Sequence, residues 1–333
     1  MNVSITNPPN SAGLEEDNLA DAGDRIDAAA RSMIRLRVCW VMHWLSESGK
    51  EVPDSSETVH QLRVWSRRTL AALHAYAGIL PRTERKWFQK QMNRIRRAAG
   101  DARDLDVLLE NCKTKKGKHG KRIRRQFMKE RCHAQRPIWQ LHQKLIKKRQ
   151  LQTRLDRMLR AIPVDSDSSL ANQSLREWAE QQIMQSTEGI LSATPTDFSS
   201  FRQLHQLRIQ AKQMRYTLEL FAYLLPENRT QHLAEVVEDI QNRLGRINDH
   251  VVLGRRLQRL RSHPPRSSHA KKIKTMARLE RKTAKKLRDQ FIRKWPKMDA
   301  TLRLHLHEHG VKSRSDSGAA NGPCSTNSQL PTD

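Results

Sequence analysis

The feature that most constrains this chain is that it contains part of itself twice. The segment from Val59, VHQLRVWSRRTLAALHAYAGILP, aligns with the segment from Leu204, LHQLRIQAKQMRYTLELFAYLLP, at an offset of 145 residues. The same offset, without a gap, pairs Gly100 with Gly245, Asp104 with Asp249, Val107 with Val252 and Leu108 with Leu253. A repeat held over about 50 residues decides architecture before local propensities do. The layout around it agrees. An apolar-periodic segment near 25–48 stands opposite one near 168–190, and a long basic segment at 113–160 stands opposite one at 258–305. Each half then reads as helix, His-bearing helix, helix, short helix after the glycine, and long basic helix. No run alternates apolar and polar residues as a half-buried strand does. The expected fold is all-α, with one helical bundle over 25–165 and a second over 166–310.

Local signals set the expected boundaries. Pro81 and Pro226 stand where each His-bearing helix would end. Gly100 and Gly245 stand where left-handed C-terminal caps belong, with Asp101 and Asn248 placed to cap the next short helix. Residues 1–24 hold five acids and no Lys or Arg, which reads as an acidic disordered arm. Residues 311–333 read as a disordered Ser-, Asn- and Gly-containing tail, and Pro163 with Asp165–Ser169 as the junction between halves.

Charge points to a partner. The chain has 62 Lys and Arg against 35 Asp and Glu, a formal net charge of +27. Such an excess opposes compaction unless an anion offsets it, so a polyanion is expected: nucleic acid, polyphosphate or an acidic membrane surface. The repeated helix shows how it would be held. Leu204, Leu207, Ala211, Met214, Leu218, Phe221 and Leu225 form one apolar seam at i+3/i+4 spacing. One residue on, His205, Arg208, Lys212 and Arg215 form a cationic seam about 100° around the helix. The first copy supplies His60, Arg63 and Arg67, with Arg68 beside them, and no acid occurs from Val59 to Thr83. Members of such a row lie about 4.5–6 Å apart along the axis, a pitch suited to a linear chain of phosphates. Two copies related by a pseudo-twofold would face one another across a shared basic groove.

HQLRVWSRR with GDARDLDVL, followed by HQLRIQAKQMRY with LGRINDHVVL, resembles the CHAD family (conserved histidine α-helical domain). The resemblance covers about residues 23–305. It implies two bundles related by a pseudo-twofold around a basic central cavity that binds inorganic polyphosphate. Its implied ligands are His60, Arg63, Arg67 and Arg68, then His205, Arg208, Lys212 and Arg215. Leu70 and Gln213 depart from the pattern, standing where the family has further basic residues. Members can be joined to a triphosphatase domain, and nothing in this sequence resembles one.

Other candidates have blander readings beside the sharp ones. Arg94, Arg96, Arg97, Arg103 and Arg246 either extend the groove or are surface charge. Asp101, Asp104 and Asp106 read as caps and as carboxylates that orient Arg or His, rather than as a metal site, because a hard cation wants several converging oxygens. His305, His307 and His309 place only two imidazoles on one helix face. GKHGKR at 117–122 lacks P-loop spacing. Residues 113–160 hold 18 Lys/Arg against two acids and residues 266–297 hold 13 against two, so these helices line the cavity or form an outer polyanion-binding coat.

No nucleophile–base arrangement or paired carboxylates suggest catalysis, and no cofactor is expected beyond magnesium carried in with phosphate. Nucleic acid is the alternative partner. With 5% aromatic residues the chain is poor in the stacking platforms of single-strand readers, and no helix-turn-helix or zinc motif occurs. No apolar run reaches the ~20 residues of a membrane span, and MNVSITNPPN does not read as a signal peptide. Cys39, Cys112, Cys132 and Cys324 at unrelated spacings read as free thiols in a reducing cytoplasm. Association with polyphosphate granules follows if the implied ligand is correct. Oligomeric state is left open.

Overall fold

The structure, a computed structural model, describes residues 25–50, 56–113, 118–163, 173–262 and 267–315; the acidic arm, most of the junction and the tail from 316 lie outside them. The described residues are all-α. They comprise α1 (Ile26–Ser48), α2 (Ser56–Ala75), α3 (Arg82–Lys113), α4 (Lys118–His142), α5 (Gln150–Arg160), α6 (Leu175–Ser192), α7 (Phe201–Phe221), α8 (Glu227–Ser262) and α9 (Ser267–Ser315). No helix among them is long and apolar enough to cross a membrane.

Helices adjacent in sequence pack against one another, α1 on α2, α2 on α3, α6 on α7, α7 on α8 and α8 along α9. The halves meet where α2 lies against α7 and α1 against α6. One apolar core runs through both, including Val38, Val41, Leu62, Phe88 and Ile95 from the first half and Leu207, Met214, Phe221, Val237 and Phe291 from the second. Across the join the rings of Tyr76 and Phe221 meet edge to face at 5.9 Å, and the Trp178 indole N–H donates to the Ala75 carbonyl at 3.1 Å. A smaller apolar cluster of Leu105, Leu108, Phe127, Leu253, Leu257 and Ala277 closes the far ends of α3, α4, α8 and α9.

Several expected boundaries are corrected. Gly100 and Gly245 cap nothing: α3 and α8 pass straight through them, so Asp101 and Asn248 lie inside helices and no short helix follows. The apolar seam explains this. Ile95, Ala98, Ala102 and Leu105 stay buried across Gly100, as do Ile240, Leu244 and Ile247 across Gly245. Burying a continuous seam outweighs the ~1 kcal/mol that one mid-helix glycine costs. Pro81 and Pro226 do not end helices either. Their carbonyls accept from Arg85 and Thr230, so each heads the helix that follows, where proline's missing N–H is harmless.

The basic segment of the first half is not one long helix. It breaks at a π-helical turn, Gln143–Lys147, and at Arg149, whose φ is 51°. Leu145 and Leu151 are both fully buried. Six residues of unbroken α-helix would set them about 120° apart, and the break brings both to the core. The left-handed conformation of Arg149 costs roughly 1–2 kcal/mol. In the second half the last helix runs unbroken to Ser315, five residues into the expected tail.

A Cβ added at Gly245 meets nothing within 4 Å, whereas one added at Gly49 lands inside the His142 ring. Gly245→Ala should therefore stabilise the fold by about 0.5–1 kcal/mol. Gly49→Ala should destabilise it, and thermal unfolding of both variants measures the contrast.

Candidate anion-binding site

The cationic seam exists because α2 and α7 turn their apolar seams into the core, leaving the next face of each toward the other. Leu62, Ser66 and Thr69 on α2 and Leu204, Leu207, Ala211 and Met214 on α7 are buried. Ser200 caps α7, its hydroxyl accepting from the Gln203 N–H at 3.5 Å, which fixes where the seam begins.

The structure brings Arg63 and Arg67 of α2 together with Arg208 and Lys212 of α7. All four are partly buried, and each acts electrostatically on at least one member from the opposite helix. Lys212 feels Arg67, Arg208, Arg63 and Arg215. Burial first, and those four cations second, push its ammonium down from 10.5 to about 6. Arg67 is pushed down to about 10, again by burial first and Arg63 next, with a hydrogen bond from its guanidinium to the buried Tyr216 hydroxyl working the other way. Burial also lowers Arg208, whose Nε is buried with no hydrogen-bond partner. These are basic side chains held partly dehydrated at close quarters, an arrangement that an arriving anion stabilises.

The two histidines flank this group. His60 lies beside Arg103, Arg63 and Arg67, and His205 beside Arg208, Lys212 and Arg255. Burial chiefly, aided by those cations, lowers both imidazoles below their ordinary value. The His205 Nδ1 lies 3.3 Å from the Asn248 Oδ1, and this contact favours the protonated ring.

Carboxylates touch the group at a few places. The Arg63 Nη1 donates to the Asp104 Oδ1 at 2.8 Å and to the Gly100 carbonyl at 3.1 Å. Asp104 thus orients an arginine, as the sequence suggested. Asp249 acts on Arg208, and burial by surrounding atoms raises its carboxyl although part of the residue is exposed. Glu219 is the carboxylate that sequence reasoning missed. It joins the Arg68 Nε at 2.9 Å and the Arg215 Nε at 3.2 Å, linking α2 to α7. Arg68 also lies over the Trp65 ring at 4.7 Å. Arg68 and Arg215 are therefore already ion-paired, while Arg67, Lys212 and Arg208 form the centre.

Of the proposed extensions, Arg103 stands beside His60, and Arg97 beside Arg96, which in turn feels Arg63. Arg94 and Arg246 are exposed on α3 and α8, and neither is among the charges acting most strongly on the histidines or Lys212. Arg255 was not foreseen, because the matching first-half residue is Glu110. Asp106 is held by Arg131 at 2.7 Å, and among the described residues no group of three or more His, Cys, Asp or Glu is placed to hold a metal.

The site is thus a set of partly dehydrated basic side chains converging between two packed helices of an all-helical protein. The CHAD domain model matches residues 41–258, well over half of the chain, and the chain belongs to the CHAD family. Two solved structures share the fold. One is the CHAD domain from the plant Ricinus communis, 23% identical, covering 86% of this chain and 93% of that one with a TM-score of 0.64. The other is PptA from Streptomyces chartreusis, 14% identical, covering 81% of this chain and 99% of that one with a TM-score of 0.56. No curated protein matches the chain.

The low value at Lys212 carries a sign. The unfolded chain keeps this proton up to pH near 10.5, and the folded chain releases it above about 6. Between those values the unfolded state binds more protons, so this residue makes stability rise with pH. Below pH 6 both states are charged and the burial cost is borne in full. Lys212→Met should raise the melting temperature most below pH 6, and progressively less from there towards pH 10. A flat difference across that range would refute the assignment.

Proposed function

We propose that this protein binds inorganic polyphosphate non-catalytically, through the cations gathered between α2 and α7. The observation that carries the reading is the central group of Arg67, Arg208 and Lys212, partly buried and mutually repelling, with His60 and His205 at its flanks. Arginine donates two-pronged hydrogen bonds to phosphate oxygens and lysine supplies a compact charge. A flexible polyanion without bases enters such a site more readily than a nucleic acid, whose phosphates alternate with bulky nucleosides. Arg68 and Arg215 join as ligands by exchanging Glu219 for phosphate. Magnesium has no protein site in this reading and enters only as a counterion of the chain. The likeness to the CHAD fold supports the reading, since that family is linked to polyphosphate.

Binding should draw protons. An anion beside Lys212 and the two histidines restores their charged forms. Calorimetric titration with polyphosphate at neutral pH, in buffers of different ionisation enthalpy, should register net proton uptake, and uptake should shrink in Lys212→Met.

Long-chain polyphosphate should outcompete RNA or DNA at equal phosphate concentration and physiological salt, with affinity falling as salt rises. His205, Arg208 and Lys212 changed together to Ala should keep the helical circular dichroism and lose affinity by at least an order of magnitude, as expected when several charge-assisted contacts go. If nucleic acid wins the competition, the protein reads phosphate backbones in general. If the triple variant binds normally, the site lies on the outer basic helices α4 and α9.

Glu219→Gln should separate binding from stability. It removes the carboxylate that occupies Arg68 and Arg215, so polyphosphate affinity should rise. Thermal unfolding should come earlier, by about 0.5–1 kcal/mol for a partly exposed pair.

A further inference from the structure

A second cationic surface adjoins the central group. Helices α7 and α8 run antiparallel: the Gln241 amide donates to the Ala211 carbonyl at 3.1 Å, and His205 meets Asn248 at 3.3 Å. One further turn in the same direction sets Phe201 opposite the α8 segment that carries Gly254 and Arg255. There α7, α8 and α9 line a groove of about 130 Å³, bounded by Phe201, His250, Gly254, Arg255, Gln258 and Arg281 among others. Its charge is one-sided. Arg255 and Arg281 are both exposed and neither is ion-paired among the described residues. The acid beside it, Glu280, is engaged by the His250 Nδ1 at 2.6 Å. Arg255 lies two turns, about 10 Å, along α8 from Asn248, and its charge also reaches His205. The groove therefore lies beside the His205 flank of the central group.

Resting on the polyphosphate reading, we propose that this α7–α8–α9 groove is an exit subsite, where Arg255 and Arg281 hold the phosphates of a linear chain that extends beyond the central cations. The first half offers no matching cation on α3, because the residue in register with Arg255 is Glu110. A chain longer than the centre accommodates thus leaves on the second-half side. Short phosphates fill the centre alone, and chain-length preference arises in the groove.

The test compares tripolyphosphate with long-chain polyphosphate on the full chain and on Arg255→Gln/Arg281→Gln. Both side chains are exposed, so unchanged melting is expected and is checked first. Arg281→Gln alone, whose charge is not among those acting on His205, should bind tripolyphosphate as before, and the double variant nearly so. Its affinity for long chains should fall roughly fivefold to tenfold, the size of two exposed ionic contacts, with a shallower dependence on salt. Unchanged long-chain affinity overturns the exit subsite and leaves the central site standing. An equal loss for both ligands also overturns it, since the arginines would then act through the centre. If the unaltered protein binds neither phosphate, the polyphosphate reading itself falls, and the subsite with it.

Discussion

Repulsion among cations that have been partly taken out of water governs this molecule. Arg67 of α2 and Lys212 and Arg208 of α7 sit where two packed helices meet; burial weighs first on each, neighbouring cations come next for Arg67 and Lys212, and Asp249 partly offsets the burial of Arg208. Nothing in helix packing requires basic residues there, and apolar ones of similar volume would pack better. The surrounding core supplies the stability that the cluster takes away. The rings of Tyr76 and Phe221 and the Trp178 bond to Ala75 fasten the halves beside the repelling charges, so the cations cannot relax by separating α2 from α7. That cost is the sort found at functional sites, where stability is given up for binding.

Acids act on the cluster at only a few places. Asp104 fixes Arg63 from the side, and Glu219 bridges Arg68 to Arg215 at one end. The Tyr216 hydroxyl accepts from Arg67, which orients the guanidinium. Asn248 does the same for His205. Hydroxyl and amide partners meet Arg67 and His205, the carboxylates of Asp249 and Asp104 act on Arg208, and Glu219 holds Arg68 and Arg215 at one end.

The two halves are alike where they touch the cations and different elsewhere. Gly100 and Gly245 both sit inside long helices, and Asp104 and Asp249 both act on the arginines opposite. Yet the first half breaks its basic segment at Arg149 while the second continues in α9 to Ser315. Glu110 and Arg255 oppose each other in sign at one register. The halves are thus similar in the helices that carry the cations and differ beyond them.

The sequence by itself determined the helical class, the apolar seams and the residue types on the adjacent cationic face. Each of these follows from spacing along one helix: Leu204, Leu207, Ala211 and Met214 are buried because they share a face, and the face one residue on must carry His205, Arg208 and Lys212. Tertiary structure decided what spacing cannot encode. Whether Gly245 ends a helix depends on the seam of Ile240, Leu244 and Ile247 continuing into a core. Whether Arg68 stands free depends on Glu219, 151 residues away. Lys212 looks like an ordinary lysine in the sequence. It becomes a weak base only when α2 is laid against α7, because burial and the approach of Arg67 exist only in the folded chain.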